Sequence, residues 1–266
     1  MPEVPVVARA ALHQWEEPCI SGTSGSGTVF FSGCTLGCVF CQNRSISHEN
    51  FGRAVSVPHL RKIFDDLIAQ GAHNINLVSP TPYALAIREA LAEPLPVPVV
   101  WNTGGYERIE TLRALEGKVQ IWLPDLKYAD NELAEKYSGA ADYFETATAA
   151  ILEMYRQVGS YVMENGILRS GVVIRHLMLP GALANTKAVM DWVAKHFRPG
   201  EVLFSLMAQY TPQKDAEGLL ARRVTKMEYR SALQYMENLG IVDGYSQDAE
   251  SAAKEYTPAF DLTGIE

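Results

Sequence analysis

The sequence predicts an α/β fold in which six parallel strands alternate with helices. Short apolar runs rich in β-branched residues recur along the chain, helix-like stretches lie between them, and glycine or proline marks many of the boundaries. Strands that alternate with helices form β/α units in one parallel sheet, and six such units are enough for an open barrel. The predicted strands cover residues 28–32, 74–79, 97–102, 119–125, 171–178 and 201–207.

The first long helix between these strands has clear end signals. Ser56 is its predicted N-cap, Pro58 lies in its first turn, and Gly71 ends it. The spacing of its apolar residues predicts one buried stripe, formed by Leu60, Ile63, Phe64, Leu67 and Ile68.

Three later features predict further helices. Residues 142–163 are predicted to form one long helix, and Asn185 is the predicted cap of the next one. Thr225 and Glu228 have the Thr-x-x-Glu spacing of a capping box, which predicts a last helix that begins there and ends before Gly240.

Composition narrows the class of protein. The chain has 266 residues, 47% of them hydrophobic, which is ample for a buried core. A formal net charge of −8 argues against broad electrostatic binding of nucleic acid. The sequence contains no run of eighteen apolar residues and no signal-peptide pattern, so we expect a cytoplasmic protein that does not bind a membrane.

The chain is expected to fold as one domain with two looser ends. Residues 1–27 are predicted to be an N-terminal extension that packs on the barrel, and residues 28–245 are the barrel core. Residues 246–266 are predicted to be a partly ordered C-terminal tail.

Three cysteines directly after the first predicted strand carry the clearest chemical signal. Cys34, Cys38 and Cys41 lie within eight residues, so disulfide bonds among them would not link distant parts of the chain. A structural zinc site needs four protein ligands, whereas three thiolates suit a cubane iron–sulfur cluster with one iron left open. Zinc remains an alternative if Cys19 or a histidine is the fourth ligand, but Cys19 is better explained as a small buried hydrophobe.

The Cys-x3-Cys-x2-Cys spacing, with the aromatic Phe40 before the last cysteine, resembles the signature of the radical S-adenosylmethionine (SAM) enzymes. The resemblance implies an open (β/α)6 partial TIM barrel and a [4Fe-4S] cluster held by Cys34, Cys38 and Cys41. It also implies that the open iron binds SAM, and that reduction yields a 5′-deoxyadenosyl radical that abstracts hydrogen from a substrate. Such an oxidoreductase would need an anaerobic or well-reduced setting.

Further matches to that superfamily fall where successive predicted strands end. Ser79 and Thr81 lie where many of these enzymes carry a Gly-Gly-Glu-Pro motif that binds the SAM amino group. The glutamate is absent here, so we expect backbone carbonyls and Ser79 or Thr81 to hold that group. Asn102 resembles the asparagine of a Thr-Asn-Gly element and is expected to bond a ribose or carboxylate oxygen of SAM.

The later strand ends supply the rest of the expected cofactor site. Asp125 and Lys127 match an Asp-Leu-Lys element and, because strand side chains alternate, are expected to face the barrel mouth together. The Arg175 guanidinium is expected to form bidentate hydrogen bonds with the SAM carboxylate or ribose. Gln209 is expected to line the site, and His176 is interpreted as a structural hydrogen-bonding residue rather than a catalyst.

The resemblance is closest to the pyruvate formate-lyase activating enzyme-like branch, in a subgroup of uncertain substrate. It extends over roughly residues 13–245 and includes His13 and the stretch from Trp15 to Gly22. It implies a low-potential flavodoxin or ferredoxin as electron donor. The alternatives for function are hydrogen abstraction from a protein glycine, a radical SAM reaction on a small molecule, and a non-catalytic zinc or iron protein.

Overall fold

The computed structural model describes residues 4–247 and 258–265 of the chain. Its strands belong to one ten-stranded sheet with the order β10-β9-β8-β6-β5-β4-β2-β1-β3, and β7 pairs with β8 beside this path. The strands are β1 (Val6–His13), β2 (Ser26–Phe31), β3 (Arg53–Ala54), β4 (Ile75–Val78), β5 (Val99–Thr103), β6 (Ile121–Pro124), β7 (Val162–Glu164), β8 (Ile167–Leu177), β9 (Leu203–Met207) and β10 (Gly244–Gln247).

The predicted α/β fold with an open parallel sheet is confirmed. The six predicted strands correspond to β2, β4, β5, β6, β8 and β9, and they pair in parallel in that order. Strand β10 adds a further parallel strand beside β9, so residues 246 and 247, which were predicted to begin the tail, are part of the sheet. Within the described ranges no strand pairing joins β10 to β3, and the barrel is therefore open.

Helices connect these strands, and the longer ones pack on the outer face of the sheet. They are α1 (Pro18–Ser21), α2 (Arg44–Ser47), α3 (Val57–Ala69), α4 (Ala84–Ala90), α5 (Ile109–Ala114), α6 (Asn131–Ser138), α7 (Tyr143–Val158), α8 (Leu183–His196) and α9 (Lys226–Asn238). The predicted caps of α3 and α9 are confirmed. The Ser56 side chain accepts from the His59 amide, and Thr225 and Glu228 form the reciprocal capping box.

Two helix predictions are wrong. Helix α7 ends at Val158, where Gly159 follows at φ +68°, and residues 162–164 instead form β7 against β8. Helix α8 begins at Leu183, so Asn185 lies inside its first turn and does not cap it. The Asn185 Oδ1 atom accepts from the amides of Ala129 and Asp130 and so holds the loop that follows β6. The first error overlooked Gly159, which is a local stop signal, whereas the second comes from long-range contacts that local patterns do not encode.

Residues 14–21, which we call the floor segment, close the lower end of the barrel. Strand β1 is antiparallel to β2 with His13 opposite Ser26, so the chain leaves β1 at the amino ends of the parallel strands. The floor segment contains α1, whose Cys19 and Ile20 are fully buried. Their apolar cluster includes inward-facing strand residues, namely Val100, Ile121, Leu123, Val173 and Leu203.

The described C-terminal residues lie against β1. The Ala10 amide donates to the Thr263 carbonyl at 2.8 Å, and the Leu262 amide donates to the Ala8 carbonyl at 3.1 Å. Ile265 is fully buried. The predicted tail falls partly on residues 248–257, which lie outside the described ranges. None of the helices in the described part of the chain has the length and apolar character that crossing a membrane requires.

Candidate active site

A cavity of about 260 Å³ opens at the carboxyl ends of the parallel strands. This is the end of a parallel barrel where ligands bind, because the βα loops converge there. The cysteine loop after β2 and residues at the ends of β9 and β10 line the same cavity, which shows that the sheet curves round it. The predicted site residues that line it are Cys34, Cys38, Cys41, Ser79, Asn102, Asp125, Lys127, Arg175 and Gln209.

Two predicted cofactor contacts do not line this cavity. The Phe40 ring packs edge-on against Tyr210, with 6.3 Å between the ring centroids, and belongs to the core between sheet and helices. The Thr81 hydroxyl donates to Glu107 Oε1 at 2.5 Å, below the turn that follows β4. The structure therefore does not bring the side chains of Phe40 and Thr81 to the other predicted residues.

The sulfur atom of each loop cysteine accepts one hydrogen bond. The Leu36 amide donates to Cys34 Sγ at 3.4 Å, and the Ser47 hydroxyl donates to Cys41 Sγ at 3.2 Å. Buried Cys38 accepts from the Ser138 hydroxyl at 3.0 Å, and its burial raises the pKa of its thiol. A buried thiolate needs stabilisation by donors and a cation, and metal ligation supplies the cation.

The structure separates Cys19 from the three loop cysteines. Cys19 lies in the apolar cluster of the floor segment, and burial raises the pKa of its thiol to about 12, as expected for a small buried hydrophobe. In residues 4–247 and 258–265, no three His, Cys, Asp or Glu side chains converge in the manner of ligands to a single metal ion. The zinc alternative with Cys19 as fourth ligand thus finds no support in this geometry.

The turn after β4 has a strained backbone at the cavity wall. Ser79 adopts φ +56°, a left-handed conformation that costs a non-glycine residue about 1–2 kcal/mol. Its amide donates to the Asn102 carbonyl of β5 at 2.9 Å, which helps to hold this conformation. Strain of this kind is often retained where a backbone must present its polar groups to a ligand.

Asp125, Lys127 and Arg175 form a largely buried ionic group. Lys127 Nζ donates to Asp125 Oδ2 at 2.5 Å, and Arg175 Nε donates to Asp125 Oδ1 at 3.0 Å. Burial alone would raise the pKa of Asp125, but the nearby Arg175 and Lys127 charges outweigh it and hold that pKa below its usual value. The Asp125 carboxylate likewise keeps the pKa of buried Lys127 above the ordinary lysine value. All three groups are therefore charged.

Arg175 is already engaged with three protein partners. Besides Asp125, its guanidinium donates from Nη1 to Glu16 Oε1 at 2.8 Å and from Nη2 to Asn102 Oδ1 at 2.7 Å. A guanidinium bonded on three sides is a rigid part of the wall. Its geometry suits the positioning of Asn102 and Asp125.

The floor segment contributes site residues to which the sequence assigned no role. The Glu16 carboxylate accepts from Arg175, from Asn102 Nδ2 at 2.8 Å and from Asn76 Nδ2 at 3.1 Å. Glu17, which is 1% exposed, also lines the cavity. The sequence feature that could have indicated a role for Glu16 and Glu17 is their position as an acidic pair directly before Pro18, in a stretch that is otherwise largely apolar and aromatic.

Two buried titratable groups, Glu107 and His176, form hydrogen bonds with residues next to the site. Glu107 Oε1 accepts from Thr81, Thr103 and Trp101, and burial raises the pKa of its carboxyl. His176 is fully buried, and its Nδ1 donates to the Leu126 carbonyl at 2.7 Å, since a carbonyl only accepts. Burial lowers the pKa of His176 to about 4, so the ring is neutral and structural.

The fold and the cysteine spacing agree with a family match over most of the barrel. The model of the radical SAM superfamily matches residues 28–193. The chain belongs to the radical SAM superfamily. The matched part runs from β2 into α8, so the floor segment, β9 and β10 lie outside it.

A curated relative and several solved structures are similar to this radical SAM protein. An uncharacterized protein of Methanocaldococcus jannaschii is 30% identical over 230 residues, which make up 81% of this chain and 63% of the relative's length. Streptococcus suis SuiB, solved with the precursor peptide SuiA, is 14% identical with a TM-score of 0.57 over 81% of this chain and 46% of its own.

Two further structures extend the comparison. Methylornithine synthase (PylB) is 13% identical with a TM-score of 0.54 and covers 85% of this chain and 73% of its own. A spore photoproduct lyase variant is 13% identical with a TM-score of 0.57, and the alignment covers 86% of this chain and 78% of the variant's. At these identities the solved structures show a shared fold.

Proposed function

We propose that this protein binds a [4Fe-4S] cluster on Cys34, Cys38 and Cys41 and uses it to cleave SAM reductively. The observation that carries the proposal is that the three thiols line one cavity together with Ser79, Asn102, Asp125 and Lys127. Sulfur donors and polar groups for an amino-acid ligand thus meet at the carboxyl ends of the strands, where a parallel barrel binds its ligands.

The residues present fit such a cluster. Three thiols are available, each sulfur already accepts a hydrogen bond, and the buried Cys38 thiol gains from ligation by a cation. When bound, the cluster would supply the electron that splits SAM into methionine and a 5′-deoxyadenosyl radical able to take hydrogen from a substrate.

The protein's own residues would bind and orient SAM. Lys127 provides a charged donor for the SAM carboxylate, and Asn102 provides an amide for a ribose or carboxylate oxygen. Asp125 accepts at the same wall, and Ser79 with the strained backbone of its turn offers acceptors for the amino group. Arg175 acts through Asn102 and Asp125, which it holds in place at 2.7 and 3.0 Å.

For the substrate, we propose hydrogen abstraction from a protein glycine, as in the glycyl-radical activases that the sequence resembles. A small-molecule substrate is the second candidate. It is favoured by the depth of the cavity, which reaches from the cysteine loop down to buried Glu17 and would allow a substrate to lie inside the barrel. In either case we propose a low-potential flavodoxin or ferredoxin as electron donor.

Anaerobic reconstitution tests the core of this proposal. We expect about four irons per chain, a change in the electron paramagnetic resonance (EPR) signal of the dithionite-reduced cluster when SAM is added, and production of 5′-deoxyadenosine under the same reducing conditions. One bound zinc without SAM cleavage would contradict the proposal and support a non-catalytic metal protein.

The two substrate candidates can be distinguished by the molecule from which the hydrogen atom is abstracted. A glycine substrate predicts an EPR-detectable radical on a co-purifying protein and deuterium in 5′-deoxyadenosine when that protein carries deuterated glycine. A small-molecule substrate predicts deuterium transfer from a labelled metabolite fraction with no radical on any protein.

A further inference from the structure

Glu17 is a buried carboxyl group of the cavity that lies beyond ion-pair distance of every basic side chain in the described residues. The ion pairs at this site join Arg175 to Glu16 and Asp125, and Lys127 to Asp125, so these four charges balance. Within the described residues, no lysine, arginine or histidine forms an ion pair with Glu17. Its hydrogen-bond donors in the described part of the chain are neutral: the Ser205 hydroxyl, and Gln247 Nε2 at a long 3.3 Å.

The burial of Glu17 makes this imbalance costly. Its side chain is 1% exposed although it lines the cavity, and a buried carboxylate is unfavourable unless a cation or several donors compensate it. Burial raises the pKa of Glu17, and the more distant Arg175 charge with the hydrogen bonds from Ser205 and Gln247 offsets this effect only in part. A cationic ligand in the cavity would remove that cost.

Two neighbouring side chains present further acceptors without donors. Gln247 Oε1 and Gln209 Oε1 are buried and have no hydrogen-bond partner among the described residues, and both glutamines line the cavity. The bond from Gln247 Nε2 to Glu17 fixes the orientation of the Gln247 amide, so its oxygen is the free end. Carboxylate and amide oxygens together are complementary to a group that carries several N–H donors.

These acceptors belong to a different part of the barrel from the proposed SAM contacts. Glu17 comes from the floor segment, Gln209 follows β9 and Gln247 ends β10, whereas the proposed SAM contacts lie at or just after the ends of β4, β5, β6 and β8. All three acceptor residues also lie outside the 28–193 family match. Trp15, 48% exposed and part of the same cavity lining, adds an aromatic face that attracts cations.

We propose that Glu17, Gln209 and Gln247 form a substrate subsite that binds a cationic nitrogen group, a guanidinium or an ammonium. The proposal rests on the proposed function in that it names the substrate class of the same cavity. The cation pairs with Glu17, and its remaining N–H groups donate to the two glutamine oxygens. The substrate is then an amine, a guanidine, or a peptide that inserts a lysine or arginine side chain.

The test compares ligands that differ in charge and little else. N-acetyl-argininamide, N-acetyl-lysinamide and the neutral N-acetyl-citrullinamide are titrated into the reconstituted protein, with and without SAM, by isothermal titration calorimetry. We expect at least one cationic amide to bind at least about tenfold more tightly than the citrulline amide, because only a cation neutralises buried Glu17. Whether arginine or lysine binds better identifies the preferred cation.

Variants assign the preference to the subsite. Glu17→Gln should abolish the difference between cationic and neutral amides, and Gln247→Met should weaken binding of the cationic amide several-fold. Glu89→Gln is the matched control, since Glu89 is exposed on α4, and it should bind as wild type does. If Glu17→Gln does not fold, the wild-type comparison and Gln247→Met still decide.

Equal affinity for the cationic and citrulline amides, or no measurable binding of any of them, would overturn the subsite. Production of 5′-deoxyadenosine is measured in the same preparations. Cation-selective binding without SAM cleavage would refute the proposed function and leave the subsite standing. SAM cleavage without cation-selective binding would refute the subsite and leave the proposed function standing.

Discussion

The Glu16 carboxylate and the Arg175 guanidinium are 2.8 Å apart, although 159 positions separate them in the chain. This contact joins the floor segment to the middle of the barrel and, through Asn102 and Asp125, to the cavity wall. Both side chains are largely buried, at 14% and 13% exposed. The N-terminal segment is therefore part of the architecture of the site.

Removal of the Arg175 charge should destabilise the fold. We expect Arg175→Met to cost about 3–5 kcal/mol, because it leaves the Glu16 and Asp125 carboxylates buried without a counter-charge. In a Glu16→Gln background the same change should cost about 1–3 kcal/mol less, since one of those charges is gone. Urea denaturation of wild type, the two single variants and the double variant measures both values. Strictly additive costs would contradict an interaction between Arg175 and Glu16.

Cys38 should be essential for the proposed cluster. We expect Cys38→Ala to lose cluster assembly and SAM cleavage together, because two remaining thiols cannot hold three irons. Iron and sulfide analysis with a 5′-deoxyadenosine assay checks this. Cys19→Ala is the control: it should keep both properties and lose only about 1 kcal/mol of stability from the buried sulfur. Full cleavage by Cys38→Ala would refute the ligand assignment.

Ser138 should tune the reduction potential of the cluster. Its hydroxyl donates to Cys38 Sγ at 3.0 Å, so Tyr128 Oη must be the donor in its 2.7 Å contact with Ser138 Oγ. Donors to cluster sulfurs favour the more negative reduced state, so Ser138→Ala should lower the potential. Tyr128→Phe should lower it less, because the direct bond remains. An EPR-monitored redox titration measures both shifts, and an unchanged potential in Ser138→Ala would contradict the prediction.

Gly105 should tolerate no side chain. Its φ of +82° is left-handed, and a Cβ there would lie 2.2 Å from the Asp125 carbonyl oxygen. Gly105→Ala should therefore cost more than the conformational penalty of about 1–2 kcal/mol and displace the strand end that carries Asp125. Thermal unfolding measures the cost. Gly117→Ala is the comparison, since Gly117 has a similar φ of +76° but no atom near its Cβ position, and equal costs would refute the steric argument.

Glu228 should stabilise the protein in a pH-dependent way. Its hydrogen bonds from Arg222, and further ones from Thr225 and Gly181, hold the pKa of this carboxyl well below the usual range of a glutamate. A lowered folded-state pKa contributes stability above the unfolded-state value, and this contribution is lost as the pH falls below it. Glu228→Gln should therefore be less stable than wild type at neutral pH, with the difference shrinking as the pH falls below about 4.3, the usual pKa of an unfolded-state glutamate. Urea denaturation at several pH values tests this, and a constant difference would contradict it.

Much of this protein follows from its local sequence. The six strand runs predict the parallel sheet because a fully buried strand reads as a continuous apolar run. Ser56 and the Thr225–Glu228 pair predict helix starts because caps act within one turn. The cysteine spacing indicates the family for the same reason, since all three ligands lie on one loop.

Only the tertiary structure decided which groups share the cavity. Thr81 points to Glu107 and Phe40 to Tyr210, because the left-handed turn at Ser79 and the core contacts outside the sheet set their directions. Glu16 and Glu17 reach the site because β1 runs antiparallel to β2 and delivers the next residues to the barrel floor. A side chain's partner across more than a hundred residues depends on how the strands register and curve, and no periodicity within a short window of sequence carries that information.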